Sequence, residues 1–180
     1  MIKPHIFIFL LLFISNIFSQ EEFNIKSLIN VDGIYKKIGS MEPAAGLVFS
    51  IVNNKKMNMG RLINGKKQGY WLEIHRDERR LEETYKDGQL DGSVSLYYKN
   101  GQKEWRHTYN HGILDGSYTK WYKNGQRSVD GAFENGDAVG IWAWWNEQGK
   151  VIKKEIYKKG TRGYLMGYKK YISKYVISNP

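Results

Sequence analysis

Apolar positions recur along this chain at a long fixed interval, with short alternating runs between them. Gly46, Gly69, Gly92, Gly116 and Gly140 are spaced by 23, 23, 24 and 24 residues. Two positions after each glycine stand Val48, Trp71, Val94, Tyr118 and Trp142, and five positions after stand Ile51, Ile74, Tyr97, Trp121 and Trp145. A period of roughly 20–50 residues marks a repeat architecture and decides the fold before any motif is weighed. Between these segments, Leu81-Glu83-Tyr85, Trp105-His107-Tyr109 and Val129-Gly131-Phe133 alternate with residues such as Glu82, Arg106 and Asp130. That period of two belongs to a strand with one buried face.

The two apolar columns lie at an even and an odd offset, so they cannot share a face of an ideal strand. Either both faces of that strand are partly covered, or a bulge shifts the register between them. Asn100-Gly101 and Asn124-Gly125 predict two-residue hairpins of type I′, because both central positions then need positive φ. Asn53-Asn54, Asp77-Glu78 and Gln148-Gly149 take that place in the other copies, Asp77-Glu78 being the weakest signal. Gly65, Gly88, Gly112, Gly136 and Gly160 open the turn into the next copy. The pattern predicts an all-β protein, an elongated antiparallel meander of about five β-hairpin repeats with a period of 23–24 over residues 31–163. A helix in this region would be interrupted within about ten residues by Gly and Asn-Gly.

The ends differ from the middle. Residues 1–20 pair Lys3 with an apolar run from Ile6 to Ile14 and small residues at Ser15 and Ser19, the pattern of a cleaved signal peptide. The run is shorter than the ~17–25 residues needed to span a bilayer. No transmembrane span is expected in the mature chain, which is placed outside the cytoplasm, secreted or periplasmic and associated with the cell envelope. Residues 21–30 have no period and read as a lead-in, and Pro43 marks a loop before Gly46. In the C-terminal cap, 164–180, Leu165, Tyr168, Tyr171, Ile172, Tyr175 and Val176 follow a helical stripe, so 166–176 reads as a short capping helix, with a final strand as the competing assignment.

Composition narrows the function. The 180 residues contain no cysteine, which excludes disulfides, thiolate metal sites and cysteine nucleophiles. Loss of Lys3 with the signal leaves 27 Lys and Arg against 18 Asp and Glu. Such an excess attracts anionic partners, but the cations are dispersed without a block, and export argues against nucleic acid.

The unit Gly116, Trp121-Tyr122-x-Asn124-Gly125, Gly131-x-Phe133-x-x-Gly136-x-x-x-Gly140 resembles the variant MORN repeat of bacterial proteins. Asp32-Gly33-Ile34-Tyr35 and Glu42-Pro43-x-x-Gly46 resemble the start of those proteins, and the likeness covers residues 31–163. Many members are described as antitoxins of the YwqK type. The resemblance implies a hairpin sheet, a binding role with a toxin as partner, no cofactor and no catalytic residues to carry over. The sequence departs from the pattern at Asp77-Glu78 and at Lys154-Glu155, where the glycine seen at positions 60 and 131 is missing.

No nucleophile motif, phosphate loop or metal motif stands in the chain. The mature part has three histidines, His75, His107 and His111, and the last two fall on one nominal strand face without a third ligand. The residues from Asp130 to Asp137 resemble calcium chemistry only in one copy, and turn chemistry accounts for them. What remains is aromatic: Trp142, Trp144 and Trp145 with the copy-equivalent Trp121 and Tyr97. These are the candidate binding residues, Trp144 above all, for a partner protein or, alternatively, for a glycan of the cell envelope. The expectation is a non-catalytic binding scaffold.

Overall fold

The computed structural model describes residues 21–158. In chain order the strands are β1 (Glu22–Asn24), β2 (Leu28–Val31), β3 (Ile34–Lys37), β4 (Gly46–Val52), β5 (Lys55–Ile63), β6 (Lys66–Ile74), β7 (Arg80–Lys86), β8 (Gln89–Leu90), β9 (Gly92–Tyr97), β10 (Lys103–Asn110), β11 (Ile113–Trp121), β12 (Arg127–Glu134), β13 (Asp137–Trp145) and β14 (Val151–Tyr157). One 3₁₀ turn, Ile25–Ser27, separates β1 from β2. Ten strands from β4 to β14 follow one another across a single antiparallel sheet, with β8 attached to β7 and β1 added in parallel beside β4. The all-β meander of hairpin repeats expected from the period is therefore present. The segment read as a lead-in carries β1 and the start of β2. The signal peptide and the helix expected over 166–176 lie outside the described residues.

The turn types are exchanged relative to the sequence expectation. Gly101 and Gly125 have φ of +84°, but Asn100 and Asn124 are not at positive φ. The amides of Gly101 and Gly125 donate to the carbonyls of Tyr98 and Tyr122, while the amides of Tyr98 and Tyr122 donate to the carbonyls of Gln102 and Gln126. This is a three-residue loop ending in a left-handed glycine, not a type I′ turn. The reason is the asparagine side chain. Asn100 Oδ1 and Asn124 Oδ1 accept from the amides of Gln102 and Gln126 at 3.1 and 3.0 Å, which holds the right-handed conformation. Paired positive φ occurs instead at Asn53-Asn54 and at the turns between copies: Asn64-Gly65, Asp87-Gly88, His111-Gly112 and Asn135-Gly136.

Successive copies are tied at the loop end by repeated bonds. Tyr98 Oη donates to the carbonyl of Trp121 at 3.1 Å and Tyr122 Oη to that of Trp145 at 2.8 Å. Asn100 Nδ2 and Asn124 Nδ2 reach the carbonyls of Lys123 and Glu147. Each bond spans 23 residues, one period, and ends on a carbonyl at the close of a strand or in the loop after it.

One face carries a spine across consecutive strands: Gly60, Trp71, Glu83, Val94, His107, Tyr118, Gly131, Trp142 and Glu155, fixed by the pairs Trp71↔Glu83, Val94↔His107, His107↔Tyr118, Tyr118↔Gly131 and Trp142↔Glu155. Large rings alternate with glycine or polar residues because the rings lie over their neighbours. A Cβ on Gly60 or Gly131 would fall 2.4 and 2.3 Å from the indoles of Trp71 and Trp142. The core is closed at the N-terminal end by the β2–β3 hairpin, where Leu28, Ala44, Val48, Leu62 and Trp71 are buried together and Tyr35 stacks on Trp71 at 6.3 Å. Further along, Tyr118, Phe133, Trp142, Trp144 and Tyr157 form a continuous ring cluster with centroids 5.1–6.2 Å apart.

Candidate functional site

The five aromatic candidates divide between the two faces of the sheet. Trp142 and Trp144 are two apart on β13 and point to the spine face, where Trp142 is buried and Trp144 pairs across to Val129 and Lys153. Tyr97, Trp121 and Trp145 point the other way. The even and odd columns therefore lie on opposite faces of a regular strand. The extra residues sit on the returning strands instead, Glu104 in β10 and Ser128 in β12, and both are buried.

On the opposite face the columns form a ladder of rings and cations. The pairs Ile74↔Arg80, Arg80↔Tyr97, Tyr97↔Lys103, Trp121↔Arg127 and Trp145↔Val151 carry it from β6 to β14. The Arg80 guanidinium carbon lies 4.1 Å from the centre of the Tyr97 ring. Lys103 Nζ lies 5.5 Å from the centre of Tyr97 and 5.6 Å from that of Trp121, bridging two copies. Each such contact contributes about 0.5–1 kcal/mol at an exposed site. All three rings are half-buried.

Beside the ladder runs a polar row: Glu82, Ser95, Arg106, Thr119, Asp130, Ala143 and Lys154, each directly paired with the next. Its two carboxylates are held from within the sheet. Glu82 meets Arg80 Nε at 3.0 Å and accepts from Tyr97 Oη at 3.0 Å. Asp130 accepts from Thr119 Oγ1 at 2.8 Å and meets Arg127 Nη1 at 3.3 Å. Burial and then the Glu82 bond raise the Tyr97 hydroxyl above its ordinary value, so it remains a donor at neutral pH.

The spine face holds the charged side chains that the repeat glycine excludes elsewhere. Glu83 occupies a glycine position and lies 3.5 Å from Lys67 Nζ, which stands over both Trp71 and Tyr85 at 4.7 Å. Tyr85 Oη donates to Glu83 at 3.0 Å, and burial with the Glu83 charge raises its pKa strongly. His107 occupies the next glycine position, 2% exposed, with the rings of Trp105 and Tyr118 at 4.3 and 4.8 Å. Burial lowers its pKa to about 3, so it is neutral at physiological pH. His111 sits in a type I′ turn and leaves the strand face it was expected to share. Among the described residues, no three His, Cys, Asp or Glu side chains converge on a metal position. Likewise no described helix is long and apolar enough to cross a membrane.

Sequence reasoning missed the cations. Arg80, Lys103 and Arg127 are all basic and stand at one point of the period, and their recurrence opposite the odd aromatic column was a usable signal. No protein-family model matches the chain, and a search of curated proteins finds no similar one.

Proposed function

We propose that the protein is a non-catalytic scaffold of the extracytoplasmic space that presents the ladder face of its sheet to another protein. The observation that carries this reading is the alternation Arg80, Tyr97, Lys103, Trp121, Arg127 and Trp145 on one half-buried face. Trp, Tyr and Arg dominate the energy of protein interfaces because each combines large apolar area with a directed polar group. Here their side chains are already held by neighbours, so little rotamer entropy is left to lose on binding. The sharpest form of the reading, in keeping with the resemblance to the variant MORN repeat, is immunity outside the cytoplasm: occlusion of a secreted toxin. The glycan alternative needs a run of open ring faces, whereas cations stand over Tyr97, Trp121 and, on the other face, Trp144, and of the ladder only Trp145 is left without one among the described residues.

The test is saturable capture from an envelope fraction by the immobilised chain, compared with the Trp121→Ala/Trp145→Ala variant. The expected result is a stoichiometric protein whose capture falls at least tenfold in the variant, measured at a temperature where the variant's lowered but still cooperative thermal transition leaves it folded. Recovery of polysaccharide without stoichiometric protein would overturn the reading.

A further inference from the structure

We infer that the partner of the ladder face is an acidic protein surface, docked on Lys103, Arg106 and Lys154; this rests on the scaffold reading above. The charges of that face are unevenly compensated. Arg80 and Arg127 are matched by Glu82 and Asp130. Lys103, Arg106 and Lys154 have no carboxylate within 4.0 Å among the described residues. Both carboxylates of the polar row are already occupied by a guanidinium and a hydroxyl each, which leaves them no capacity to neutralise the remaining three cations. Along the ladder and the polar row the unmatched charge is therefore positive.

Geometry limits what can meet it. Arg106 on β10 and Lys154 on β14 are the two ends of the run Arg106, Thr119, Asp130, Ala143 and Lys154. Four strand spacings separate them, roughly 19 Å. A single phosphate or carboxylate cannot bridge that distance, so the complementary charge has to be spread over a surface. Bases and sugars bind such faces by stacking on a run of open rings, but Tyr97 is covered by Arg80 and Lys103, and Trp121 by Lys103, which leaves the run only Trp145. A uniformly anionic lipid layer would also be pressed against Glu82 and Asp130. A protein surface can place carboxylates opposite Lys103, Arg106 and Lys154 and donors opposite Glu82 and Asp130. Charges on such a rim steer the encounter and fix the register, and their loss slows association most.

The experiment measures binding of the chain to a polyglutamate peptide, to hyaluronate and to phosphatidylglycerol vesicles at low ionic strength. Three forms are compared: wild type, Lys103→Gln/Arg106→Gln/Lys154→Gln, and a control, Lys26→Gln/Lys55→Gln/Lys150→Gln, that removes the same charge from exposed positions elsewhere. The expected result is saturable binding of polyglutamate by wild type, weakened at least tenfold in the ladder-face variant and less than twofold in the control. Absence of saturable polyglutamate binding, equal weakening in both variants, or tighter binding of hyaluronate or vesicles would each overturn the inference. The envelope capture separates this failure from failure of the scaffold reading. If the ladder-face variant still captures the partner protein that Trp121→Ala/Trp145→Ala loses, the scaffold stands and its acidic partner does not.

Discussion

His107 should make this protein sensitive to acid in a way that one substitution removes. Its imidazole fills a position that is glycine at 60 and 131 and is enclosed by Trp105, Tyr109 and Tyr118. Burial lowers its pKa from 6.5 to about 3. The folded state therefore stays unprotonated in a range where the unfolded chain takes up a proton. The depressed value makes the sign unambiguous: this contribution is present above pH 6.5 and is lost as pH falls toward 3. Each pH unit in that window removes about 1.4 kcal/mol, so at pH 4.5 the loss is about 2.5 kcal/mol. Against a typical stability of ~5–15 kcal/mol, that is a large share. Urea unfolding of wild type and His107→Phe at pH 7.5, 5.5 and 4.5 measures it. Phenylalanine keeps a ring between Trp105 and Tyr118 and cannot titrate. Any change in the variant's stability at pH 7.5 drops out, because the quantity read is the difference in pH dependence. Wild type should lose about 2.5 kcal/mol more than the variant between pH 7.5 and 4.5. Equal losses would refute the placement of His107 in a site that excludes charge.

Three further outcomes follow from the geometry. Gly131→Ala should destabilise the fold by about 1–3 kcal/mol, read by urea unfolding, because its Cβ would enter the Trp142 indole at 2.3 Å; a neutral result would mean the ring is free to move. Glu78 holds φ of +65° where the equivalent loops have glycine. Glu78→Gly should therefore raise stability by about 1 kcal/mol, less the small contribution of its exposed pair with Lys99. Trp142→Ala should cost about 3–5 kcal/mol in urea unfolding, whereas Trp121→Ala on the half-buried ladder should cost clearly less; equal losses would mean that the ladder rings are core.

The sequence alone determined the fold class, because a period of 23–24 with glycine at its corners allows only short strands and tight turns. It also determined that the columns of Trp142 and Trp145 needed two faces or a bulge, since three residues is an odd step along a strand. Which of the two applies was decided by the sheet. The bulges fell on the returning strands, at Glu104 and Ser128, and the stretch from Trp142 to Trp145 stays regular, the shift within β13 lying before it, opposite Gly131. The turn types were decided by competition: Asn-Gly is compatible with two loops, and the Asn100 side-chain bond to Gln102 selected the longer one. The docking of β1 in parallel beside β4 is a non-local pairing that no local pattern records. The ladder had the same origin. Trp144, the residue that seemed most exposed by pattern, is turned toward the ring cluster and covered by Lys153. Tyr97, Trp121 and Trp145 form the opposite surface, because side-chain direction follows from strand alternation, while the position of a cation over a ring follows only from which strands lie side by side.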